Sequence, residues 1–191
     1  MRTRRLPSAV VLYLCALAPA FAETFATFPD QKELPSPDNR YVIRSLDAGH
    51  APSDFTGMFH SLIVEDRATG NVRRLCDYLH KISVAWSGGG IIATDYVSRR
   101  GSRALVFPVA SENEAYIVDR MDLAGRVPWD IGASLRENDH VFVEAVRMED
   151  RTLVLRAWGY GVHNPRGFHM ACELKLDQGA ASCRDTRPVG P

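Results

Sequence analysis

Short apolar runs rich in β-branched and aromatic residues recur from Arg40 onward, and clusters of Gly, Pro, Asn, Asp and Ser separate them. Runs of this length, bounded by turn residues, are typical of β-strands and are too short for amphipathic helices. The pattern predicts strands at 41–45, 61–65, 72–76, 83–86, 91–94, 104–109, 140–146, 152–157 and 168–176. We therefore expect one all-β, mainly antiparallel domain over residues 39–184.

Three stretches fall outside this pattern. Residues 23–38 are rich in proline and polar side chains, which predicts an extended N-terminal segment on the surface. Residues 185–191 are predicted to form a flexible tail. The stretch 48–57 contains Pro, Gly and Asp, the residues that favour turns, so we expect an exposed loop there.

The middle of the chain has two interpretations. Ser111 and Glu114 have the spacing of a capping box, and Gly125 is suited to end a helix, so the pattern favours a short helix over 112–124. The run 116–118 (Tyr-Ile-Val) is β-prone, and a strand there is the alternative.

The first residues have the organisation of a secretory signal peptide. Arg2, Arg4 and Arg5 give a positive start, an apolar run follows over 9–18, and Ala20-Phe21-Ala22 supplies a small-residue cleavage site. We expect cleavage after Ala22, so that residues 1–22 are removed. The mature protein is then periplasmic or secreted.

Two rival interpretations of this segment fit less well. A membrane anchor needs about 20 apolar residues, and this run is shorter. Lipid attachment at Cys15 would require a small residue before the cysteine, whereas Leu14 is large. The mature chain has no second long apolar stretch, so we expect no integral membrane segment.

The charge balance argues against two classes of partner. The chain has 23 basic and 23 acidic residues, and residues 1–22 contain three of the arginines and no acid. Their removal leaves 20 basic against 23 acidic side chains, a net charge of −3 with His neutral. Nucleic acids and anionic lipids require a concentrated positive surface, so neither is expected as the main partner.

Three cysteines remain after cleavage, and an oxidising compartment favours a disulfide among them. Cys172 and Cys183 flank a predicted hairpin centred on Asp177-Gln178-Gly179. A two-residue turn at Asp177-Gln178 places the cysteines opposite each other, whereas a bulge at Gly179 shifts the register and separates them. We predict the Cys172–Cys183 bridge and interpret Cys76 as a buried thiol.

Part of the chain resembles a known repeat. Ser36-Pro37-Asp38-Asn39-Arg40-Tyr41-Val42 resembles the start of a blade in TolB-like, WD-repeat-type β-propellers. Ile63-Val64-Glu65-Asp66-Arg67-Ala68-Thr69-Gly70 and Val84-Ala85-Trp86-Ser87 resemble the pieces that follow. The likeness covers 36–109, and no third or fourth copy occurs. It implies blade-like sheets, as an incomplete propeller or a sandwich, and implies little about activity because propellers serve many functions.

One Gly-rich stretch combines aromatic, histidine and arginine residues between two predicted strands, 152–157 and 168–176. Loops held by rigid strands often carry binding residues, and aromatic rings and guanidinium groups provide stacking and anion contacts. The candidate binding residues are Trp158, Tyr160, His163, Arg166, Phe168 and His169. The alternative is a long hairpin loop whose aromatic side chains pack on the edge of the core.

Catalytic and metal signatures are weak. His163 and His169 lack the further ligands that zinc requires. Cys76 and His80 are four residues apart but lie in no nucleophile motif, and neither a Gly-x-Ser-x-Gly elbow nor a nucleotide-binding fingerprint occurs. We therefore predict no catalytic residues, metal or cofactor.

The leading interpretation is an exported binding protein that recognises a protein or a cell-envelope component. Two alternatives stay open at this point. One is a small envelope hydrolase whose site is assembled from residues far apart in sequence. The other is an inhibitor or immunity protein directed at a secreted enzyme.

Overall fold

The computed structural model describes residues 24–50, 58–109, 115–162 and 164–186, so the predicted signal peptide lies outside the described residues. Within these ranges the chain forms thirteen strands and two helices. The strands are β1 (Ala26–Phe28), β2 (Glu33–Pro35), β3 (Tyr41–His50), β4 (Met58–Asp66), β5 (Val72–Tyr78), β6 (Lys81–Ser87), β7 (Gly90–Ser98), β8 (Gly101–Pro108), β9 (Tyr116–Val118), β10 (His140–Glu149), β11 (Thr152–Tyr160), β12 (Phe168–Lys175) and β13 (Ala181–Asp185). The helices are α1 (Arg120–Gly125) and α2 (Trp129–Glu137).

Three antiparallel meanders of four strands follow one another along the chain. The first meander is β2–β5 and forms a sheet of its own. The second is β6–β9 and the third is β10–β13, and a short parallel pairing of β10 with the start of β8 joins them in one sheet. The prediction of an all-β, mainly antiparallel fold is confirmed. These sheets do not close into a ring, and the likeness to propeller blades stays a prediction.

The second meander lies between two hydrophobic cores. Successive side chains of a strand point to opposite faces, so neighbouring residues of β7 enter different cores. Ile91 packs towards the first meander with Ile43 and Leu62. Ile92 packs on the other side, with Val143 and Leu155 of the third meander and with buried residues of both helices.

Buried hydroxyl groups attach β10 to the second meander. Ser102 Oγ donates to the Val143 carbonyl at 3.0 Å, and the Ala145 N–H donates to Thr94 Oγ1 at 3.0 Å. Ser87 Oγ accepts from the Met148 N–H at 2.7 Å and donates to its carbonyl at 3.2 Å. A buried backbone group without a partner is costly, so these three side chains stabilise β10 by bonding backbone groups of Val143, Ala145 and Met148.

Replacing Ser87 by alanine should therefore lower the free energy of unfolding by about 1–3 kcal/mol, because it leaves buried Met148 backbone groups without that partner. Urea denaturation of Ser87→Ala and of Ser182→Ala, an exposed serine on β13, provides the comparison. Equal midpoints for the two variants would show that the Ser87 contact does not stabilise the fold.

The short helix is confirmed, but it begins at Arg120 and not at residue 112. Asp119 caps it, since its carboxylate accepts from the N–H groups of Met121 and Asp122, each at 2.8 Å. Tyr116–Val118 is the strand β9, as in the alternative interpretation. The proposed capping box at 111–114 lies outside the described residues.

The flanking predictions need adjustment. The described part of the predicted N-terminal segment, 24–38, contains the short strands β1 and β2, and it is not only a surface segment, because β1 buries Ala26 and Phe28 against the first core. The strand β3 continues to His50, so the predicted loop 48–57 begins at least three residues later than expected. Asp185 belongs to β13, and the tail beyond Thr186 lies outside the described residues.

The predicted disulfide is present. Cys172 and Cys183 are direct cross-strand partners with Cα atoms 4.1 Å apart. The connection is longer than the expected two-residue turn, because Lys175 and Ala180 close it and four residues lie between them. Gly179 does adopt a positive φ of 66°. Since four residues preserve the same pairing as two, the cysteines stay opposite.

Candidate functional site

The structure places the predicted binding residues on two sides of the third meander. Trp158 and Tyr160 belong to strand β11 and not to a loop, and His169 belongs to β12. Arg166 lies exposed in the turn before β12. His163 lies outside the described residues.

Phe168 does not share the exposed face of the other predicted binding residues. Its side chain is almost completely buried in the core between the third meander and the helices. The adjacent Gly159 explains this position, since a Cβ at that residue would lie 2.9 Å from the Phe168 ring and 2.2 Å from the His140 carbonyl oxygen. The glycine allows strand β10 and the phenylalanine to approach closely, so Phe168 stabilises the strand that carries the exposed residues.

Five aromatic rings stand in cross-strand register on the outer face of β10, β11 and β12, and we call this set the ring ladder. Phe142 stacks on Trp158 with ring centroids 4.2 Å apart, and Trp158 lies parallel to His169 at 6.3 Å. His140 stacks on Tyr160 at 4.5 Å. Each pair consists of direct partners in the sheet, which is why the rings meet.

Strand alternation explains the composition of this face. In β11 the core side receives Leu153, Leu155 and Ala157, so Arg156, Trp158 and Tyr160 emerge on the other side. The same alternation in β10 buries Val141 and Val143 and turns His140 and Phe142 outwards. We call this outer face of β10–β12 the ladder face. It carries the aromatic rings, and the apolar core lies on the opposite side of the sheet.

The rings of the ladder project from the sheet and stack side by side, so most ring faces are covered by a neighbouring ring. Trp158 has Phe142 on one side and His169 on the other. Tyr160 differs, because His140 covers one face while the position across from it on the β12 side is Gly167, whose added Cβ would lie 3.8 Å from the Tyr160 Cβ. Tyr160 is 45% exposed, and among the described residues no ring stacks on its face towards the β12 side.

An acidic residue beside the ladder is neutralised within the same face. Glu144 is buried and accepts two hydrogen bonds from the Arg156 guanidinium, at 2.8 and 2.5 Å. The Tyr96 hydroxyl donates to the same carboxylate at 3.4 Å. Burial and the Glu144 charge raise the pKa of Tyr96, so this hydroxyl keeps its proton at neutral pH.

An open trough of about 530 Å³ continues the ladder face towards β13. Ala171 forms part of its floor, because this small side chain stands where a larger one would fill the sheet surface. Arg147, Arg156 and Arg184 line it together with Glu173. The ladder rings beside a trough lined by hydrogen-bonding charged groups suit a ligand with both apolar and polar groups.

A second group of ionisable residues lies between the first and second meanders. Asp95 is 1% exposed and forms an ion pair of 2.9 Å with Arg103. Burial raises the pKa of Asp95 despite this partner. Burial, followed by the Asp95 charge, raises the pKa of the nearby Cys76 thiol to about 12. A thiol protonated at neutral pH is a poor nucleophile, and Cys76 is half-buried, packed against the first core, and not fully buried as predicted.

This thiol should make the stability depend on pH in the alkaline range. Its pKa is raised from about 9 when unfolded to about 12 when folded, so the contribution is complete below pH 9 and is lost as the pH rises towards 12. We expect a smaller decrease in unfolding free energy between pH 8 and 10.5 for Cys76→Ala than for the wild type. Urea titrations at the two pH values test this, and equal slopes would contradict it.

Two further observations concern classes of site. Within the described ranges, no group of three or more His, Cys, Asp and Glu side chains is arranged to hold a metal ion. No helix in the described part of the chain has both the length and the apolar character needed to cross a bilayer.

Comparison with other proteins supplies no family. No protein-family model matches the sequence, and no curated protein matches it. The site must therefore be interpreted from its own geometry.

Sequence reasoning missed Phe142 and His140 because their role depends on pairing with a strand further along the chain. The available signal was the alternation in 140–144, where polar or aromatic residues alternate with valines. Combined with the hairpin predicted for 140–157, it would have indicated that His140 and Phe142 share a face with Trp158.

Proposed function

We propose that this chain is an exported binding protein that recognises a cell-envelope component through its ladder face. The observation that carries the proposal is the exposed ring of Tyr160, held in place by the stacked His140 on the sheet. Aromatic rings that are fixed before a ligand arrives lose little conformational freedom on binding. Tyr, Trp and Arg are also the residues most often found at the energetic centres of binding surfaces.

Export is part of the same proposal. The pattern of residues 1–22 is that of a cleavable signal, and the Cys172–Cys183 bridge is of the kind that persists in oxidising compartments. Both features support a mature protein that works in the periplasm or outside the cell. Envelope material is the surface such a protein meets first.

Sedimentation with insoluble envelope fragments of the source organism tests this function. We expect the wild type to pellet with the fragments, and Tyr160→Ala/Arg166→Ala to lose at least tenfold in apparent affinity. Both replaced side chains are exposed, so the variant should fold normally, which its circular dichroism spectrum and melting temperature would check.

Trp129→Ala is the matched control. Trp129 is 75% exposed, stacks against Arg136, and belongs to α2, which packs on the opposite, core face of the third meander. This variant should bind like the wild type. Equal pelleting of wild type and Tyr160→Ala/Arg166→Ala would remove the ladder face as the binding surface.

A further inference from the structure

We infer that the ladder face binds a neutral saccharide, which stacks on Tyr160 and extends its hydroxyl groups into the trough. This inference rests on the proposed binding function and specifies its ligand class. It depends on three features of the described residues, which are the direction of the open ring faces, the charge balance of the trough and the sparse apolar surface.

The open ring faces point in one direction. The ladder runs from β10 across β11 to β12, and His140 and Trp158 cover the β10-facing sides of Tyr160 and His169, respectively. Their other sides therefore face β13. Tyr160 and His169 are diagonal neighbours in the sheet, a relation that places side chains roughly 7–8 Å apart. A sugar ring has a flat array of C–H groups that suits the electron-rich face of an aromatic ring.

The position beside His169 is also open enough for a ligand. The Thr186 N–H donates to the His169 carbonyl, so this small, exposed residue is the neighbour of the histidine on the outer side. Because the planar His169 ring stands next to the short Thr186 side chain, the surface is lower on that side of the ring. Successive units of a saccharide can thus contact Tyr160 and then His169.

The charges of the trough balance one another. Arg156 is paired with Glu144, and Arg147 with Glu149 at 2.8 Å. Of the trough's charged groups, Arg184 and Glu173 make no ion pair within the described residues. Among the described residues, these two unpaired groups are one cation and one anion, so they give no net charge that would select an acidic or basic ligand.

The same pair of groups suits hydroxyls. An arginine only donates hydrogen bonds and an ionised glutamate only accepts them, whereas each hydroxyl both donates and accepts. A neutral, hydroxyl-rich ligand satisfies Arg184 and Glu173 together without bringing an unpaired charge to the surface. This charge complementarity favours a neutral saccharide over an anionic one.

A protein partner fits the face less well. A stable protein interface buries about 800 Å² on each side around an apolar centre. Among the described residues, the exposed large apolar side chains on or beside this face are Val146 at the far end of the trough and, at the other end, Tyr160 with Val162 in the turn that follows it. Charged residues lie between them. The face therefore lacks a continuous apolar centre.

Chemical treatment of the envelope fragments separates the two kinds of ligand. Periodate cleaves vicinal diols of sugars, and a protease removes envelope proteins. We expect periodate treatment to reduce the apparent affinity of the wild type for the fragments at least tenfold. Protease treatment should leave this affinity unchanged. Loss after protease alone would overturn the saccharide inference while the proposed binding function stands, and an absence of sedimentation with untreated fragments would overturn both.

Calorimetry with soluble hexasaccharides then tests the chemistry. The probes are cellohexaose, maltohexaose and chitohexaose, with a hexamer of galacturonate as the acidic counterpart. We expect binding to at least one neutral probe, retained within threefold by Tyr160→Phe, weakened at least tenfold by Tyr160→Ala and weakened by Arg184→Ala. Binding of the galacturonate probe alone would overturn the neutral ligand, and equal affinity of Tyr160→Ala and wild type would overturn the stacking.

Discussion

Replacing Arg103 by methionine is expected to lower the free energy of unfolding by about 1–3 kcal/mol, because it leaves the buried Asp95 carboxylate without its partner while the 35% exposure of Arg103 keeps the cost below that of a fully buried pair. Asp95 is almost inaccessible, and its Oδ1 atom makes no hydrogen bond within the described residues. Arg103 supplies the 2.9 Å ion pair to the other carboxylate oxygen. Without it, a carboxylate would stay buried between the first two meanders without its ion-pair partner, and the charge of His80 would be the remaining influence that lowers its pKa.

The sign of the pH dependence distinguishes this mechanism from a loss of packing. The pKa of Asp95 is raised by burial, with Arg103 acting in the opposite direction. An acid with a raised pKa contributes most to stability below its unfolded pKa, and this contribution is lost as the pH rises through the folded pKa. Removal of Arg103 takes away the two largest effects that oppose burial and leaves the smaller one of His80, so Arg103→Met should lose more stability at pH 7 than at pH 4.

Urea denaturation at both pH values measures the effect. The double variant Arg103→Met/Asp95→Asn is the control, because it has no ionisable group at this position and should show no such difference between pH 4 and 7. If the single and double variants have the same pH dependence, the destabilisation comes from lost packing and not from the buried charge.

Removal of the disulfide is the second large effect. Cys172 and Cys183 close a loop with a sequence separation of 11, for which the loss of chain entropy in the unfolded state corresponds to about 3 kcal/mol. We expect Cys172→Ala/Cys183→Ala to be destabilised by this amount under oxidising conditions. The matched control is the wild type in a reductant, which should approach the stability of the variant.

Mass spectrometry of non-reduced peptides provides an independent check of the pairing. A peptide containing Cys172 should be linked to one containing Cys183, and Cys76 should be recovered as a free thiol. A link between Cys76 and either of the others would contradict the cross-strand register of β12 and β13.

The strands could be predicted because the apolar runs and turn residues act locally. The disulfide could be predicted for the same reason, since the pairing of Cys172 with Cys183 depends on a single hairpin. Even the error in turn length was harmless there, because loops of two and four residues give the same register.

The helix α2 could not be predicted because its sequence contains a residue that usually interrupts helices. Gly132 lies in its middle, and glycine lowers helix propensity by about 1 kcal/mol. The structure shows the reason for the glycine, since an added Cβ would lie 2.8 Å from the carbonyl oxygen of Ala124. The close approach of α1 and α2 is a tertiary constraint that local propensity does not report.

The candidate site could be predicted only in part, because its arrangement also depends on contacts between distant segments. Gly159 and Gly161 make the sequence around Trp158 and Tyr160 resemble a loop, whereas Gly159 lies in a strand that needs space for Phe168. Which side of the sheet Trp158 and Phe168 occupy follows from the alternation of side chains along each strand. That alternation can be assigned only once the strand boundaries are known. The partners His140 and Phe142 come from a strand that the local pattern alone does not connect to them.

The hydroxyl contacts of β10 also determine when, during folding, the edge of the third meander is protected from association with other chains. Ser87 and Met148 are 61 positions apart in sequence, and Thr94 and Ala145 are 51 apart. Contacts of such separation form after local hairpins, because a long loop must first be closed. Until then the edge of β10 presents unpaired backbone groups, and strand edges of this kind promote association between chains. Aggregation during refolding should therefore increase in Ser87→Ala even where the native state still forms.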